Sequence, residues 1–177
     1  MIPKAFIQYL VHFHGDRDYF ECHEILEEYW KEVDPGNKES IWVAFIQLAV
    51  SSYHYRRGNY SGALRTHDKS AKIFSNEEKK CKELGIDYQA LFELMAERRL
   101  SILAGTPYKS MHFPIYDKSL LDQCRNLCQE QGLIWGKESN TIDQSVINRH
   151  STRDRSDVIL ERKLALENRK KRKGSDC

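Results

Sequence analysis

One stretch of the sequence decides the fold: residues 41–57 read IWVAFIQLAVSSYHYRR. Apolar residues occupy nearly every one of its first ten positions, so a helix here is hydrophobic around almost its whole circumference. Such a helix usually forms the buried centre of its domain. Arg56 and Arg57, followed by Gly58, are typical of a helix C-terminus. We therefore predict a central helix over residues 38–57, with other helices packed around it.

Amphipathic periodicity on both sides of this segment predicts further helices. They cover about residues 4–13, 18–32, 61–74, 88–103 and 118–131, and Asp117 is the expected N-cap of the last. Residues 106–116 form an extended connector. Of the 177 residues, 40% are hydrophobic, which is enough apolar surface to bury a core. The sequence predicts an all-α fold, a compact bundle of about six helices built from helical hairpins.

The C-terminal part of the chain differs in charge from the rest. Residues 149–177 carry ten Lys or Arg and five Asp or Glu, a net +5, which leaves −3 on residues 1–148 because the whole chain is +2. We predict a helical domain over 1–135 and a polar linker with a basic, partly helical tail over 136–177. The basic run at its end is either a solvated terminus or a weak attractor of nucleic acid or acidic protein. That run comprises Arg169, Lys170, Lys171, Arg172 and Lys173.

Several classes of protein are excluded by what the sequence lacks. It has no apolar run near the roughly 18 residues of a membrane span, and its start does not resemble a signal peptide. It contains no glycine-rich phosphate loop, nucleophile elbow or dinucleotide fingerprint. Its five cysteines, including Cys124 and Cys128 on one helix stripe, are expected to be free thiols. We predict a cytoplasmic protein without membrane contact, cofactor or bound metal.

The densest group of chemically active residues lies in the second predicted helix. His23 and Glu27 are four residues apart, so both side chains project from one helix face and could share a metal ion or a proton. Gln47 and His54 fall on the one polar stripe of the central helix, and buried polar groups must find partners. If these two helices pack together, the four residues could meet.

Three interpretations of this cluster stay open. It could be a buried network that fixes the packing of the helices. It could be a metal or acid–base site, for which His23, Glu27 and His54 are the candidate catalytic residues. The positions could also be unrelated, since the pairing of the two helices is itself inferred.

Two blocks of sequence resemble a bacterial family known as domain of unknown function 309. The first is FHGD at residues 13–16 with YFECHEILEEYW at residues 19–30. The second comprises Gln47, Tyr53, His54, Arg56, Arg57, Gly58, Asn59, Gly62 and Ala63. The resemblance covers about residues 4–75 and implies a small, all-helical cytosolic protein without an assigned reaction. It marks as characteristic polar positions Glu21, His23, Glu24, Glu27, Gln47 and His54.

These observations favour a non-enzymatic protein-interaction module with a buried His/Glu/Gln cluster, because no complete catalytic constellation is present and helical hairpins offer grooves for partner helices. The alternative is a small, hydrolase-like enzyme, metal-assisted or acid–base, centred on His23, Glu27 and His54. The expected partner is a protein. Binding to nucleic acid is expected only through the basic tail.

Overall fold

A computed structural model describes residues 1–139 together with residues 147, 160, 163, 164 and 167. Within these residues the chain forms seven helices and no β-strand longer than an isolated bridge, so the predicted all-α fold is confirmed. The helices are α1 (Lys4–His14), α2 (Tyr19–Val33), α3 (Ile41–Arg56), α4 (Tyr60–Phe74), α5 (Glu78–Glu83), α6 (Tyr88–Leu103) and α7 (Lys118–Glu130). The short helix α5 lies in a segment for which the sequence predicted none.

Helix α3 is the centre of the bundle, as its apolar sequence predicts. It packs against α2 on one side and α4 on the other, while α1 packs against α2 and α7, and α6 packs against α4. Phe45 of α3 is fully buried and its ring lies 4.8 Å from that of Phe6 in α1. Two hydroxyls of the bundle also bind α3 backbone: Tyr9 donates to the Phe45 carbonyl at 2.9 Å, and Ser70 donates to the Ala44 carbonyl at 2.7 Å.

Four of the helices have an N-cap residue whose side chain accepts a hydrogen bond from the first helical turn. Asp18 accepts a hydrogen bond from the backbone N–H of Glu21, and Asn59, Asp87 and Asp117 cap α4, α6 and α7 in the same way. The cap predicted at Asp117 is thereby confirmed. Each cap satisfies an N–H group that the first helical turn would leave without a partner.

Gly15 allows α1 and α7 to approach closely where α1 ends. A β-carbon at this position would lie 2.7 Å from the Val11 carbonyl oxygen and 3.2 Å from the sulfur of Cys128. Cys128 and Cys124 are buried free thiols, as predicted, and so are Cys22 and Cys81. The cysteines therefore serve as small apolar residues in the packing of the bundle.

The described chain divides into two compact units, residues 1–147 and residues 148–177. In the second unit Leu160, Lys163, Leu164 and Glu167 are helical and exposed. The basic run of residues 169–173 lies outside the described residues. Among the helices that the structure describes, none has the length and apolarity that crossing a membrane requires.

Candidate functional site

Helix α2 brings three of the predicted site residues together. Nδ1 of His23 lies 3.2 Å from a carboxylate oxygen of Glu24, and Nε2 lies 3.4 Å from a carboxylate oxygen of Glu27. The other oxygen of Glu27 lies 3.1 Å from the ammonium group of Lys31. Both ring nitrogens of His23 therefore contact carboxylates of the same helix. We call His23, Glu24 and Glu27 the α2 triad.

The other members of the predicted cluster lie elsewhere. His54 is in the last turn of α3, where Nδ1 is 3.2 Å from the side-chain amide nitrogen of Asn59. Burial, assisted by the charges of Arg65 and Arg57, lowers the pKa of His54. Glu21 and Gln47 are half-buried. The structure thus groups Glu24, rather than His54, with His23 and Glu27.

The expectation that this cluster is buried is wrong, because all six of its residues are half-buried. The reason lies in the face that α2 presents to the core. Tyr19, Cys22 and Leu26 are fully buried on that face. His23 and Glu27 each follow a buried residue by one position, which is a rotation of about 100° around the helix, so they reach only the rim of the core.

The chemistry open to the α2 triad is that of a carboxylate–imidazole group. One ligand atom from each residue falls within 4.8 Å of the others, close enough for a single ion. One imidazole and two carboxylates suit zinc, manganese or iron, and three protein ligands would leave coordination positions open. Without an ion, the same contacts constitute a surface ion-pair group of small energetic effect.

A second polar site, which sequence reasoning missed, lies where the α1–α2 turn meets α3, α6 and the connector after α6. Arg17 is fully buried, and its guanidinium donates to the carbonyls of Phe13, Met111 and Lys137 at 2.8, 2.6 and 2.9 Å. Its φ of 56° places a non-glycine residue in the left-handed region, a conformation that costs energy and that folded proteins often retain at functional sites.

Arg56 and Arg98 reach the same region from α3 and α6. Nη1 of Arg56 donates to the Arg17 carbonyl at 2.8 Å, and its guanidinium lies 4.6 Å from the centre of the Tyr19 ring. Arg98 is 8% exposed and donates to the Lys109 carbonyl at 3.0 Å. Its guanidinium also lies 5.3 Å from the centre of the Tyr108 ring. We call Arg17, Arg56 and Arg98 the arginine cluster.

Tyr19 lies at the centre of this cluster, and its hydroxyl is hydrogen-bonded to that of Tyr108. Burial and Tyr108 raise the pKa of Tyr19, against the opposing charges of Arg17, Arg98 and Arg56. All three cations therefore act on one buried hydroxyl. From the sequence, Arg56 indicated a helix C-terminus and belonged to the second block of the family resemblance, whereas Arg17 and Arg98 belonged to no motif. The convergence of the three was not visible, because it depends on contacts between distant segments.

Comparison with known proteins places these sites in a family. The family model described as domain of unknown function (DUF309) matches residues 6–66, a range that contains the α2 triad, Arg17 and Arg56. A Bacillus subtilis protein, the uncharacterized protein YpuF, is 47% identical over 171 residues, which cover 97% of this chain and 98% of that protein. The chain belongs to the DUF309 family. The resemblance drawn from the sequence is thereby confirmed.

The relationship to YpuF extends over nearly the whole chain, well beyond the residues that the DUF309 model matches. It therefore includes Arg98, the connector and the segment after α7. No solved structure is significantly similar to this DUF309 protein.

Proposed function

We propose that this DUF309 protein is a non-enzymatic helical module that binds a partner protein through the outward face of α6. One observation carries the proposal: Phe92, Leu100 and Leu103 are 44%, 66% and 53% exposed although they recur at helical spacing on one face. Ala96 is also exposed and lies between them. We call these four residues the α6 outer face.

The adjacent face of α6, about 100° around the helix, already supplies the packing that the fold requires. Leu91, Met95 and Ile102 are buried there. The α6 outer face therefore adds apolar surface that burial within the bundle does not explain, and clustered exposed apolar residues are a feature of protein interaction sites.

The partner that suits this surface is an amphipathic helix with basic residues along one edge. Apolar side chains at helical spacing bind the apolar stripe of a partner helix. Glu93 and Glu97 are exposed at the border of the α6 outer face, which favours cationic side chains opposite them. As part of the same proposal, we place the protein in the cytoplasm.

Site-specific photo-cross-linking in bacterial cells tests this function. A photoreactive amino acid replaces Leu100, and the same amino acid at Lys79, an exposed position of α5, serves as the control. We expect one dominant adduct from position 100, absent from position 79 and lost when Phe92→Glu is added. Adducts of equal pattern from both positions, or adducts only within copies of this chain, contradict the proposal.

A second function, a small metal-assisted or acid–base enzyme, is supported by the α2 triad alone, whose three ligand atoms lie within 4.8 Å of one another. Metal analysis of protein purified without chelator separates the two functions. The interaction module predicts no stoichiometric metal. About one zinc, manganese or iron per chain, lost in His23→Ala and retained in Glu28→Ala, would favour the enzyme. Glu28 is an exposed neighbour on the same helix, so it is a matched control.

A further inference from the structure

Helices α4 and α6 lie side by side and antiparallel, so α4 borders the α6 outer face along one edge. At the start of α6, the hydroxyl of Tyr88 lies 3.5 Å from the carbonyl of Ser75, which follows the end of α4. Three turns later, Arg99 donates to Asp68 of α4 at 2.8 Å. Residues seven apart lie on nearly the same line of a helix, so Phe92 shares with Arg99 the edge that faces α4.

Helix α4 supplies cations along this edge. Arg65 and Lys72 are exposed, and they lie three residues before and four residues after Asp68, spacings that place all three on one stripe of α4. The charge of Asp68 is already matched, because Arg99 donates to both of its carboxylate oxygens, at 2.8 and 3.3 Å. The net charge of the stripe is therefore that of Arg65 and Lys72. We call these two residues the basic border.

The other edge of the α6 outer face carries the opposite charge. Glu93 and Glu97 are exposed there, four residues apart on one line of α6. We call these two residues the acidic border. Like charges at this spacing repel each other, and among the described residues neither border takes part in an ion pair. The charge of both borders therefore remains available to a partner.

The apolar strip between the two borders has contributions from both helices. Next to the α6 outer face, Leu64 and Ala71 of α4 are half-buried, and Leu64 packs against a buried cluster that includes Ile102. The strip extends along α6 from Phe92 to Leu103, which is about 16 Å of helix at 1.5 Å per residue. A partner helix of about three turns would cover it.

We propose that the partner helix of the α6 outer face is bipolar, with lysine or arginine along one edge of its apolar stripe and aspartate or glutamate along the other. The inference rests on the proposed function, because it specifies the partner of the same surface. The basic edge of the partner lies over the acidic border and its acidic edge over the basic border. A helix with two basic edges meets repulsion from α4, and a helix with two acidic edges meets repulsion from α6.

The two borders also select the direction in which the partner helix lies. Turning a bipolar helix end for end exchanges its two edges. Only one of the two directions therefore places each edge opposite its counter-charge. The apolar strip contributes to affinity in either direction, whereas the charges determine which partners and which direction are favoured.

Three synthetic peptides, added to the full chain, test the charge pattern. Each has about 15 residues and the same leucines at helical spacing, and circular dichroism confirms equal helicity. Their edges carry lysine and glutamate, lysine alone, or glutamate alone. By fluorescence anisotropy at about 50 mM NaCl, we expect the bipolar peptide to bind at least about fivefold more tightly than either other peptide. At about 1 M NaCl the three affinities should converge, because the Debye length falls to about 3 Å.

Charge variants assign the preference to the two borders. Lys72→Glu cancels the net charge of the basic border, so the lysine-only peptide should bind within about twofold of the bipolar peptide. Glu97→Lys should do the same for the glutamate-only peptide. Lys79→Glu, at an exposed position of α5, changes the net charge as Lys72→Glu does and should leave the order of the peptides unchanged.

Leu100→Ser separates this inference from the proposed function. It removes an exposed apolar side chain of the α6 outer face without changing its charge, so it should weaken the binding of all three peptides. If it does so but the three peptides bind the native protein equally, or Lys72→Glu leaves their order unchanged, the bipolar partner is wrong and the α6 outer face remains a docking site. The absence of binding, or binding that Leu100→Ser does not weaken, would overturn both proposals.

Discussion

Nε2 of His14 accepts a 2.9 Å hydrogen bond from the backbone N–H of Phe113, which is 99 residues away in the sequence. Nδ1 of the same ring is 2.8 Å from the Leu10 carbonyl, an acceptor, so the neutral tautomer with its proton on Nδ1 satisfies both contacts. The ring stacks on Trp135 with 4.3 Å between ring centres. His14 therefore joins α1 to the connector and to the segment after α7, and it does so only when it is uncharged.

The first prediction concerns the stability of the fold at mildly acidic pH. Burial lowers the pKa of His14 to about 3. The unfolded chain, with a histidine pKa near 6.5, binds more protons than the folded chain between these two values. The contribution of neutral His14 to the free energy of unfolding is fully present above pH 6.5 and is lost progressively as the pH falls toward 3.

Urea denaturation at pH 7 and pH 5 measures this effect. We expect His14 to account for about 2 kcal/mol of lost unfolding free energy between the two pH values. His14→Gln should lower stability at pH 7 but reduce the dependence on pH by about that amount. An identical dependence in the native protein and the variant would mean that His14 is not held neutral.

The second prediction concerns Arg17. Its three hydrogen bonds to carbonyls join the α1–α2 turn to the connector and to Lys137. Lysine cannot reproduce this fork, and hydrogen bonds to charged groups contribute about 1.5–3 kcal/mol each. We expect Arg17→Lys to lower the free energy of unfolding by at least about 2 kcal/mol, whereas Arg65→Lys should change it by less than about 0.5 kcal/mol.

The left-handed backbone conformation of Arg17 can be tested separately from the hydrogen bonds of its guanidinium. Glycine adopts a φ of 56° without strain and alanine does not. Arg17→Gly should therefore be less destabilised than Arg17→Ala, by about 1 kcal/mol in urea denaturation. Equal stability of these two variants would argue against the left-handed turn.

The third prediction concerns Glu27 and separates the observed site from the buried network that the sequence suggested. A buried carboxylate network would lose about 1–3 kcal/mol in Glu27→Ala. Because Glu27 is 34% exposed and its partners are His23 and Lys31, we now expect a loss below about 1 kcal/mol. Thermal and urea unfolding of Glu27→Ala and of the control Glu28→Ala measure the difference. A loss of unfolding free energy above about 2 kcal/mol would contradict the small contribution expected of a partly exposed ion pair.

The helices could be predicted from the sequence because the pattern of apolar residues and caps within each segment indicates which of its faces is buried and where it begins. The apolar circumference of α3 identified the centre of the bundle, and Asp117 marked the start of α7 within the correct turn. Helix α5 was missed because six residues contain fewer than two turns and show no usable periodicity. Local pattern thus sufficed for helices of about ten residues or more.

The candidate sites could be predicted only where neighbours in space are neighbours in sequence. His23 and Glu27 meet because they are four residues apart on one helix. Arg17, Arg56 and Arg98 come from three segments, and their common surroundings arise from the connector folding back against the α1–α2 turn and α6. The burial of a charged side chain by distant backbone carbonyls has no local pattern, so the arginine cluster was not predictable.

The last prediction concerns the unit formed by residues 148–177. Its net charge is positive while residues 1–148 carry −3, and its described leucines, Leu160 and Leu164, are exposed. Chain termination after Ile147 keeps the whole of the other compact unit. We expect the melting temperature of the shortened chain to equal that of the full chain within about 2 °C.

The same truncation should abolish weak binding to DNA. A segment with this charge attracts phosphate backbones without reading sequence, and such binding falls steeply with salt concentration. We expect the full chain to bind unrelated 30-base-pair duplexes equally at about 50 mM NaCl and to release them by about 300 mM, as fluorescence anisotropy would record. A large fall in melting temperature after truncation would make residues 148–177 part of the folded core. Unchanged DNA binding would assign the contact to residues 1–147 instead.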